Sequence, residues 1–315
     1  MSTKNPNETP TALLEVRDLK VCFGKGKDRV TAVQHINFDI NEGETYGLVG
    51  ESGSGKSTIG KAILGLNPVT EGTIRFDGVD LVKGNREERE EMHRKVQMIF
   101  QDPMSSLNPR KKVRDIVAAG LDIHHMYSSH EERDRRVGEM LERVGMAAEH
   151  ADRYPAQFSG GQRQRVGIAR ALIMEPKLIV ADECIAALDA SVQAQVVNLL
   201  RKIQQETGTS FLFISHDLSM VRFLSQRIGV LHLGYLLETG TTEEIFENPV
   251  HPYTKNLLAA NPTANPIVQR QKGSGYEYET SGLVYENGSW HDVDGNGSHK
   301  VWCEEKKWKK WKEAL

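Results

Sequence analysis

The sequence predicts an α/β fold built around a mostly parallel sheet, and three observations carry that prediction. Short apolar runs such as LIVADE, FLFISH and RIGVLHL alternate with helical patterns, notably Ser191 to Glu206, as βαβ units do. A Gly-rich loop stands between an apolar strand and an apolar-periodic helix. An acid closes the run LIVADE, at the carboxyl end of a strand where open α/β sheets bind ligands.

In chain order, Met1 to Thr11 are polar and are expected to be mobile. LLEV, LKVCF and INFDI read as short strands, Asn41-Glu42-Gly43 as a turn, and Thr45 to Val49 as the next strand. After the Gly-rich loop, Ile59, Ala62, Ile63 and Leu66 recur at helical spacing. EGTIRFDGVDL reads as a hairpin, REEREEMHRK as a charged lead into strand VQMIF, and Val113 to Met146 as one long helical stretch. The segment from about Asp102 to Arg170 reads as a helical insert. Thr241 with Glu244 fits a capping box that opens the helix TTEEIFEN. After Pro262 apolar periodicity fades, and Trp290, Trp302, Trp308 and Trp311, all the tryptophans of the chain, fall in this tail.

Composition excludes several classes. Lys plus Arg is 40 and Asp plus Glu is 43, a net charge of −3, which argues against a general nucleic-acid binder. Cys22, Cys184 and Cys303 are far apart and lack metal-ligand spacing, so neither a disulfide scaffold nor a zinc site is expected. No apolar run approaches the roughly 18 residues of a membrane span, and MSTKNPNETP does not read as a signal peptide. The chain is therefore expected to be soluble, whatever its partners.

Gly50-Glu51-Ser52-Gly53-Ser54-Gly55-Lys56-Ser57, followed by Thr58, fits the phosphate-loop pattern G-x-x-x-x-G-K-[ST]. Glycines let the backbone curl so that successive N–H groups converge on phosphate oxygens, and the following helix adds its positive end. Lys56 is then expected to reach the β- and γ-phosphates and Ser57 to ligate Mg²⁺. Average residue usage produces such a match in roughly 1 in 100 chains of this size, and here the strand–loop–helix context is also present. Asp182 is the expected outer partner of Mg²⁺. Glu183, pointing the other way along the strand, is expected to polarise an attacking water. Ser159-Gly160-Gly161-Gln162 opens a second helix. It is either a simple Ser cap or another anion site, serving the same nucleotide or a second one in a dimer.

Together these residues resemble the ATP-binding cassette of ABC transporters over about Leu13 to Glu247. FSGGQ is similar to the family's signature loop, Gln101 in FQDP to its Q-loop, His216 in ISHD to its switch histidine, and Ala187-Leu188-Asp189 to its D-loop. Phe23 stands where the family has its adenine-stacking aromatic. The resemblance implies a P-loop NTPase fold with a mixed or parallel sheet core, an antiparallel β subdomain and a helical subdomain at about 102–170. It implies two cassettes paired head to tail, each ATP held between one phosphate loop and the partner's signature loop. Glu183 is then the general base, Asp182 binds Mg²⁺ through water, and His216 contacts the γ-phosphate. Gln101 links the Mg²⁺ site to a membrane partner, and Asp189 contacts the opposite subunit. The helical insert would dock on a permease.

Three positions depart from the family pattern: Phe158 replaces Leu in the signature, Cys184 replaces Pro after the base, and Ala186 replaces Ser at the head of the D-loop. None is a catalytic group, so activity is expected to persist, with coupling between the two sites in doubt at the D-loop. Cys184 reads as a small buried filler, with oxidation beside the base as the alternative.

His251-Pro252-Tyr253-Thr254 and FQDPMSSLNPR resemble the oligopeptide, dipeptide and nickel importer branch. Many members continue into a Cys-rich segment that holds an iron–sulfur cluster; with Cys303 as the single tail cysteine, none is expected here. The implied division is a mobile segment 1–12, a cassette 13–247 and an extension 248–315. The implied function is a peripheral ATPase subunit on the cytoplasmic face of the membrane that powers peptide import. It would work with a second cassette, identical or different, two integral-membrane permeases and, indirectly, an external solute-binding protein, but not with nucleic acid. A soluble cassette protein of translation or DNA repair is disfavoured by the single cassette and by the extension. A non-hydrolysing partner is disfavoured by the intact Lys56, Asp182, Glu183 and His216. The last stretch, EEKKWKKWKEAL, places Trp308, Trp311 and Leu315 on one helical face. That face either contacts membrane or permease or packs on the protein itself.

Overall fold

A computed structural model describes residues 12–260 and 285–313, the side chains of residues 103 and 104 excepted. The expected mobile segment before residue 12, and Leu315 of the expected helical face, lie outside the described residues. The strands are β1 (Ala12–Phe23), β2 (Val30–Asn41), β3 (Thr45–Val49), β4 (Glu71–Phe76), β5 (Val79–Asp80), β6 (Val96–Ile99), β7 (Leu178–Asp182), β8 (Ser210–Ile214), β9 (Arg227–His232), β10 (Tyr235–Thr241), β11 (Ser289–Asp292) and β12 (Lys300–Cys303). The helices are α1 (Lys56–Ile63), α2 (Arg86–Lys95), α3 (Pro103–Ser106), α4 (Val113–Val117), α5 (Ala119–His124), α6 (His130–Arg143), α7 (Gly160–Leu172), α8 (Ala190–Thr207), α9 (Leu218–Leu224), α10 (Thr242–Glu247), α11 (Pro252–Ala260) and α12 (Glu305–Lys312).

Two sheets organise these elements. One is antiparallel, ordered β2-β1-β4-β5. The other is mixed, ordered β11-β12-β10-β9-β3-β8-β7-β6. Its run from β9 to β6 is parallel and the rest is antiparallel. The parallel strands are buried on both faces, as such strands require. On β7, Leu178 and Val180 join the core beneath the antiparallel sheet, while Ile179 and Ala181 join the core shared with the helical insert, the two-residue alternation of a strand. Helix α1 packs Ile59, Ala62 and Ile63 into the first of these cores. Full burial of each isoleucine contributes about 1.5–3 kcal/mol. The phosphate loop is thereby fixed between a buried strand and a buried helix.

Three local expectations change. LLEV and LKVCF are one strand, β1, kinked where Asp18 adopts φ 52° and the register shifts between Val16 and Leu19. The long helical stretch from Val113 is three helices, α4 to α6. His125 turns left-handed at φ 51° after α5, and Ser129 restarts the helix by accepting the Glu132 N–H. The Trp-rich tail, where fading periodicity led to no expected strand, joins the sheet. Strands β11 and β12 extend it, with Glu238 facing Val301 and Thr239 facing Lys300.

That junction is polar and enclosed. Glu238 is fully buried and accepts from the N–H groups of Val250 (2.7 Å) and His251 (3.0 Å), and it pairs with His299 Nε2 at 2.8 Å. Each lone pair so used offsets part of the cost of burying a carboxylate. Helix α12 turns Trp308 inward, stacked on His291 at 5.2 Å and clustered with Val250, Val301 and Cys303. Trp311 lies edge-on to His251. The aromatic face of the tail therefore packs on the protein's own chain, and the exposed side of α12 is lysine-rich, with Lys306, Lys309 and Lys310.

Candidate functional site

The phosphate loop leaves the buried end of β3 and enters α1 at Lys56. Its shape depends on Gly50, which adopts φ 148°; a Cβ there would lie 2.0 Å from the Leu231 carbonyl oxygen. The loop curls around the Lys56 ammonium. Nζ donates to the carbonyls of Gly50 (2.8 Å) and Glu51 (2.7 Å) and approaches Ser54 Oγ at 3.4 Å. Lys56 is 3% exposed. Burial lowers its pKa from the usual lysine range, against the pull of Glu183, Asp182 and Glu51.

Ser57 Oγ donates to Asp182 Oδ1 at 2.7 Å. Asp182 is buried, and burial raises its pKa despite the Ser57 hydrogen bond and the nearby Lys61 and Lys56. A carboxylate beside a hydroxyl is a pair of hard oxygen donors, which suits a divalent cation such as Mg²⁺, whose charge would oppose the upward pull of burial.

Glu183 lies one residue past β7, and it does not continue the extended alternation expected of it. Its φ is 42°, a left-handed turn that a non-glycine residue adopts at a cost of roughly 1–3 kcal/mol. Its N–H donates to the Ile214 carbonyl on β8, which fixes the turn. Gln101 Nε2 donates to Glu183 Oε2 at 2.8 Å. His216 Nδ1 lies 3.7 Å from Glu183 Oε1, beyond hydrogen-bond length but within ion-pair range when the imidazole is protonated. Lys56, Ser57, Gln101, Asp182, Glu183 and His216 thus form one linked group.

The other predicted residues are not part of it. Phe23 is exposed at the end of β1. No hydrogen bond or ion pair among the described residues joins Ser159, Gly160, Gly161, Gln162 or Asp189 to the phosphate loop. Ser159 caps α7: its Oγ accepts from the Gln162 N–H, and Gln162 Oε1 accepts from the Ser159 N–H. Gly161 lets α7 approach α8, because a Cβ there would lie 2.5 Å from Val192 Cγ1. The signature loop and the residues after the D-loop therefore meet as one packed unit. Phe158 is buried, edge-on to His150. Ala186, Ala187 and Asp189 are exposed.

Cys184 is 2% exposed, and burial pushes its thiol pKa up to about 12. The thiolate is the reactive form, so the filler reading fits and the redox reading does not. The folded chain at pH 8 is expected to leave Cys184 unlabelled by iodoacetamide, with labelling on unfolding; peptide mass mapping checks this.

One participant was missed from sequence. The Glu51 N–H donates to the Tyr253 hydroxyl at 3.1 Å, which ties the extension to the phosphate loop. The HPYT motif was the available signal, but nothing in its spacing says what the hydroxyl touches.

Comparison with known proteins places this geometry among relatives. A model of the ABC transporter family matches residues 33–186, and one of the oligopeptide/dipeptide transporter C-terminal region matches residues 237–282. The oligopeptide transport ATP-binding protein AmiF of Streptococcus pneumoniae is 49% identical over 304 residues, covering 96% of this chain and 98% of that protein. OppF of Bacillus subtilis, of the same description, is 53% identical over 262 residues, with 82% and 86% covered. The dipeptide transport ATP-binding protein DppF of Lactococcus lactis is 53% identical over 266 residues, with 84% and 85% covered. Among solved structures, a dimeric ATP-binding cassette in a post-hydrolysis state with ADP and phosphate is 31% identical. Its TM-score is 0.67, and 73% of this chain and 98% of that one are covered. The cassette cbiO1 of Clostridium perfringens, part of an ABC transporter complex, is 29% identical with a TM-score of 0.66, covering 75% and 91%.

Proposed function

The chain belongs to the ABC transporter family, and on that premise we propose that it is the ATP-hydrolysing subunit that powers import of oligopeptides through a membrane permease pair. The observation that carries the hydrolytic part is Glu183, held by Gln101 at 2.8 Å and flanked by His216, beside Lys56 and the Ser57–Asp182 pair.

In this reading the phosphate loop, Gly50 to Thr58, binds the ATP phosphates and Phe23 the adenine. Lys56 presents its ammonium to the β- and γ-phosphates. Ser57 and Asp182, with Gln101, would hold Mg²⁺, which would neutralise charge on the phosphate oxygens. Glu183 takes a proton from the attacking water; Gln101 orients its carboxylate, and His216 contacts the γ-phosphate. Such a positioned base contributes roughly 10²–10⁴-fold. The remaining groups come from a second cassette, identical or different, whose signature loop (Ser159 to Gln162 in this chain) closes on the ATP while Asp189 contacts across the interface. Charge stabilisation from both sides of the γ-phosphate then exists only in the closed dimer.

The division proposed is a cassette over 13–247, with a helical subdomain at about 102–170 that docks on a permease, and an extension over 248–315. Among the described residues no helix is long and apolar enough to cross a membrane, which is consistent with a peripheral subunit at the cytoplasmic face. Two permeases and an external solute-binding protein complete the system.

Dipeptides are the second reading of the cargo, favoured by the likeness to DppF. The two separate in vesicles reconstituted with the whole assembly. ATP-dependent uptake of labelled tetra- or pentapeptide is expected. Uptake of dipeptide alone, or of Ni²⁺ with no peptide, would move the cargo to the corresponding branch. No ATP-dependent uptake of any of them would remove the transport reading.

A further inference from the structure

The Gly50–Glu51 peptide is held from both of its edges. Its carbonyl accepts from Lys56 Nζ at 2.8 Å, and its N–H donates to the Tyr253 hydroxyl at 3.1 Å. No described peptide bond is cis, and in a planar trans peptide the C=O and N–H point in opposite directions. Fixing the N–H therefore fixes the carbonyl, and with it one of the ammonium's contacts. The next carbonyl along, that of Glu51, is the other short contact of Lys56, at 2.7 Å.

Tyr253 is well placed to act as a fixed point. It is 1% exposed. Its ring stacks on His232 at 4.1 Å and 25°, and its N–H donates to His251 Nδ1 at 3.0 Å. His232 follows Leu231, whose carbonyl oxygen abuts Gly50. The loop entry is thus gripped by the end of β9 on one side and by the extension on the other. The extension is in turn held to the sheet by the buried Glu238, through the Val250 and His251 N–H groups.

We propose that Tyr253 is a positioning residue of the nucleotide site, its hydroxyl fixing the Gly50–Glu51 peptide and through it the Lys56 ammonium. The extension then reports on the phosphate loop directly: whatever shifts α11 shifts the ammonium. The inference rests on the phosphate loop being the ATP site.

The test uses the full chain and titration with a fluorescent ATP analogue. Tyr253→Phe keeps the stacked ring and removes only the hydroxyl. It is expected to weaken ATP binding about fivefold, the effect of one neutral hydrogen bond. In the assembled transporter the same variant is expected to raise KM for ATP by a similar factor with kcat within about twofold. Tyr285→Phe is the control, because its hydroxyl bonds His232 Nδ1 at 2.8 Å within the same aromatic cluster but is one ring removed from the loop; less than a twofold change is expected. Wild-type affinity in Tyr253→Phe overturns the proposal. So does an equal loss in Tyr285→Phe, which would mean general loosening of the extension. If the wild-type chain itself binds no ATP, the functional reading fails instead.

Discussion

Glu183→Gln is expected to leave a chain that binds ATP and whose assembled transporter releases phosphate at least about 100-fold more slowly. The substitution is close to isosteric, and an amide oxygen still accepts the Gln101 hydrogen bond now made to Oε2 at 2.8 Å. What is lost is the ability to take a proton. Lys56, Ser57 and Asp182 keep their contacts with the loop and with each other, so ATP affinity is expected to stay within a few fold. Steady-state phosphate release and equilibrium nucleotide binding check the two halves of this statement. Retained turnover with intact binding would move the base to another residue, and lost binding would make Glu183 a structural group of the strained turn at φ 42°.

Gly50→Ala is expected to damage binding and stability together. A Cβ would lie 2.0 Å from the Leu231 carbonyl oxygen, and the backbone at φ 148° is one that L side chains rarely adopt. Overpacking costs about 1–3 kcal/mol and an unfavourable backbone conformation a similar amount, so a loss of roughly 2–5 kcal/mol in urea unfolding is expected. The neighbour is backbone, on a strand buried in the central sheet, so the loop must move instead. Its movement displaces the Gly50 carbonyl from Lys56. ATP binding is therefore expected to fall by more than tenfold in molecules that remain folded. Wild-type stability and affinity in this variant would mean that the loop entry is looser than its contacts imply.

The residues that the structure gathers around Glu183 were readable in the sequence because they sit in short, contiguous patterns. Lys56 and Ser57 follow their glycines directly, Asp182 and Glu183 end an apolar run, and Ser159 caps its helix; parallel pairing of β3, β8 and β7 then brings Asp182 to Ser57. The pairing of Thr241 with Glu244 is of the same kind, and the capping box it predicts is present. The position of Glu183 was readable; its direction was not, because the left-handed turn that aims it depends on a hydrogen bond to Ile214 on another strand.

Non-local pairing was the general point of failure. Strands β11 and β12 have four residues each, too few to establish a period. They join the sheet through a strand more than 50 residues earlier, at a junction centred on a buried Glu238 and His299 that apolar periodicity cannot flag. Tyr253 and Glu51 are 202 residues apart, and their contact accompanies the stacking of the Tyr253 ring on His232 at the end of β9. The single long helix expected after Val113 failed for a different reason. The left-handed His125 and the Ser129 cap interrupt the backbone, and no apolar residue between Tyr127 and Val137 carries the helical spacing across the break.

The central claim is that this chain holds parts of two ATP sites and completes neither alone. The signature loop and Asp189 make no hydrogen bond or ion pair with the chain's own phosphate loop among the described residues, although both loops are intact. Light scattering of the Glu183→Gln chain tests this most directly, with and without Mg²⁺ and ATP, alone and mixed with the second cassette of its transporter. A two-cassette species is expected that forms only with ATP, either from two copies of the 35.3 kDa chain or from the mixture. Ser159→Arg in the signature loop is expected to prevent that species from forming. ATP bound tightly by a chain that stays single in every mixture, with full hydrolysis by the wild-type monomer, would contradict it.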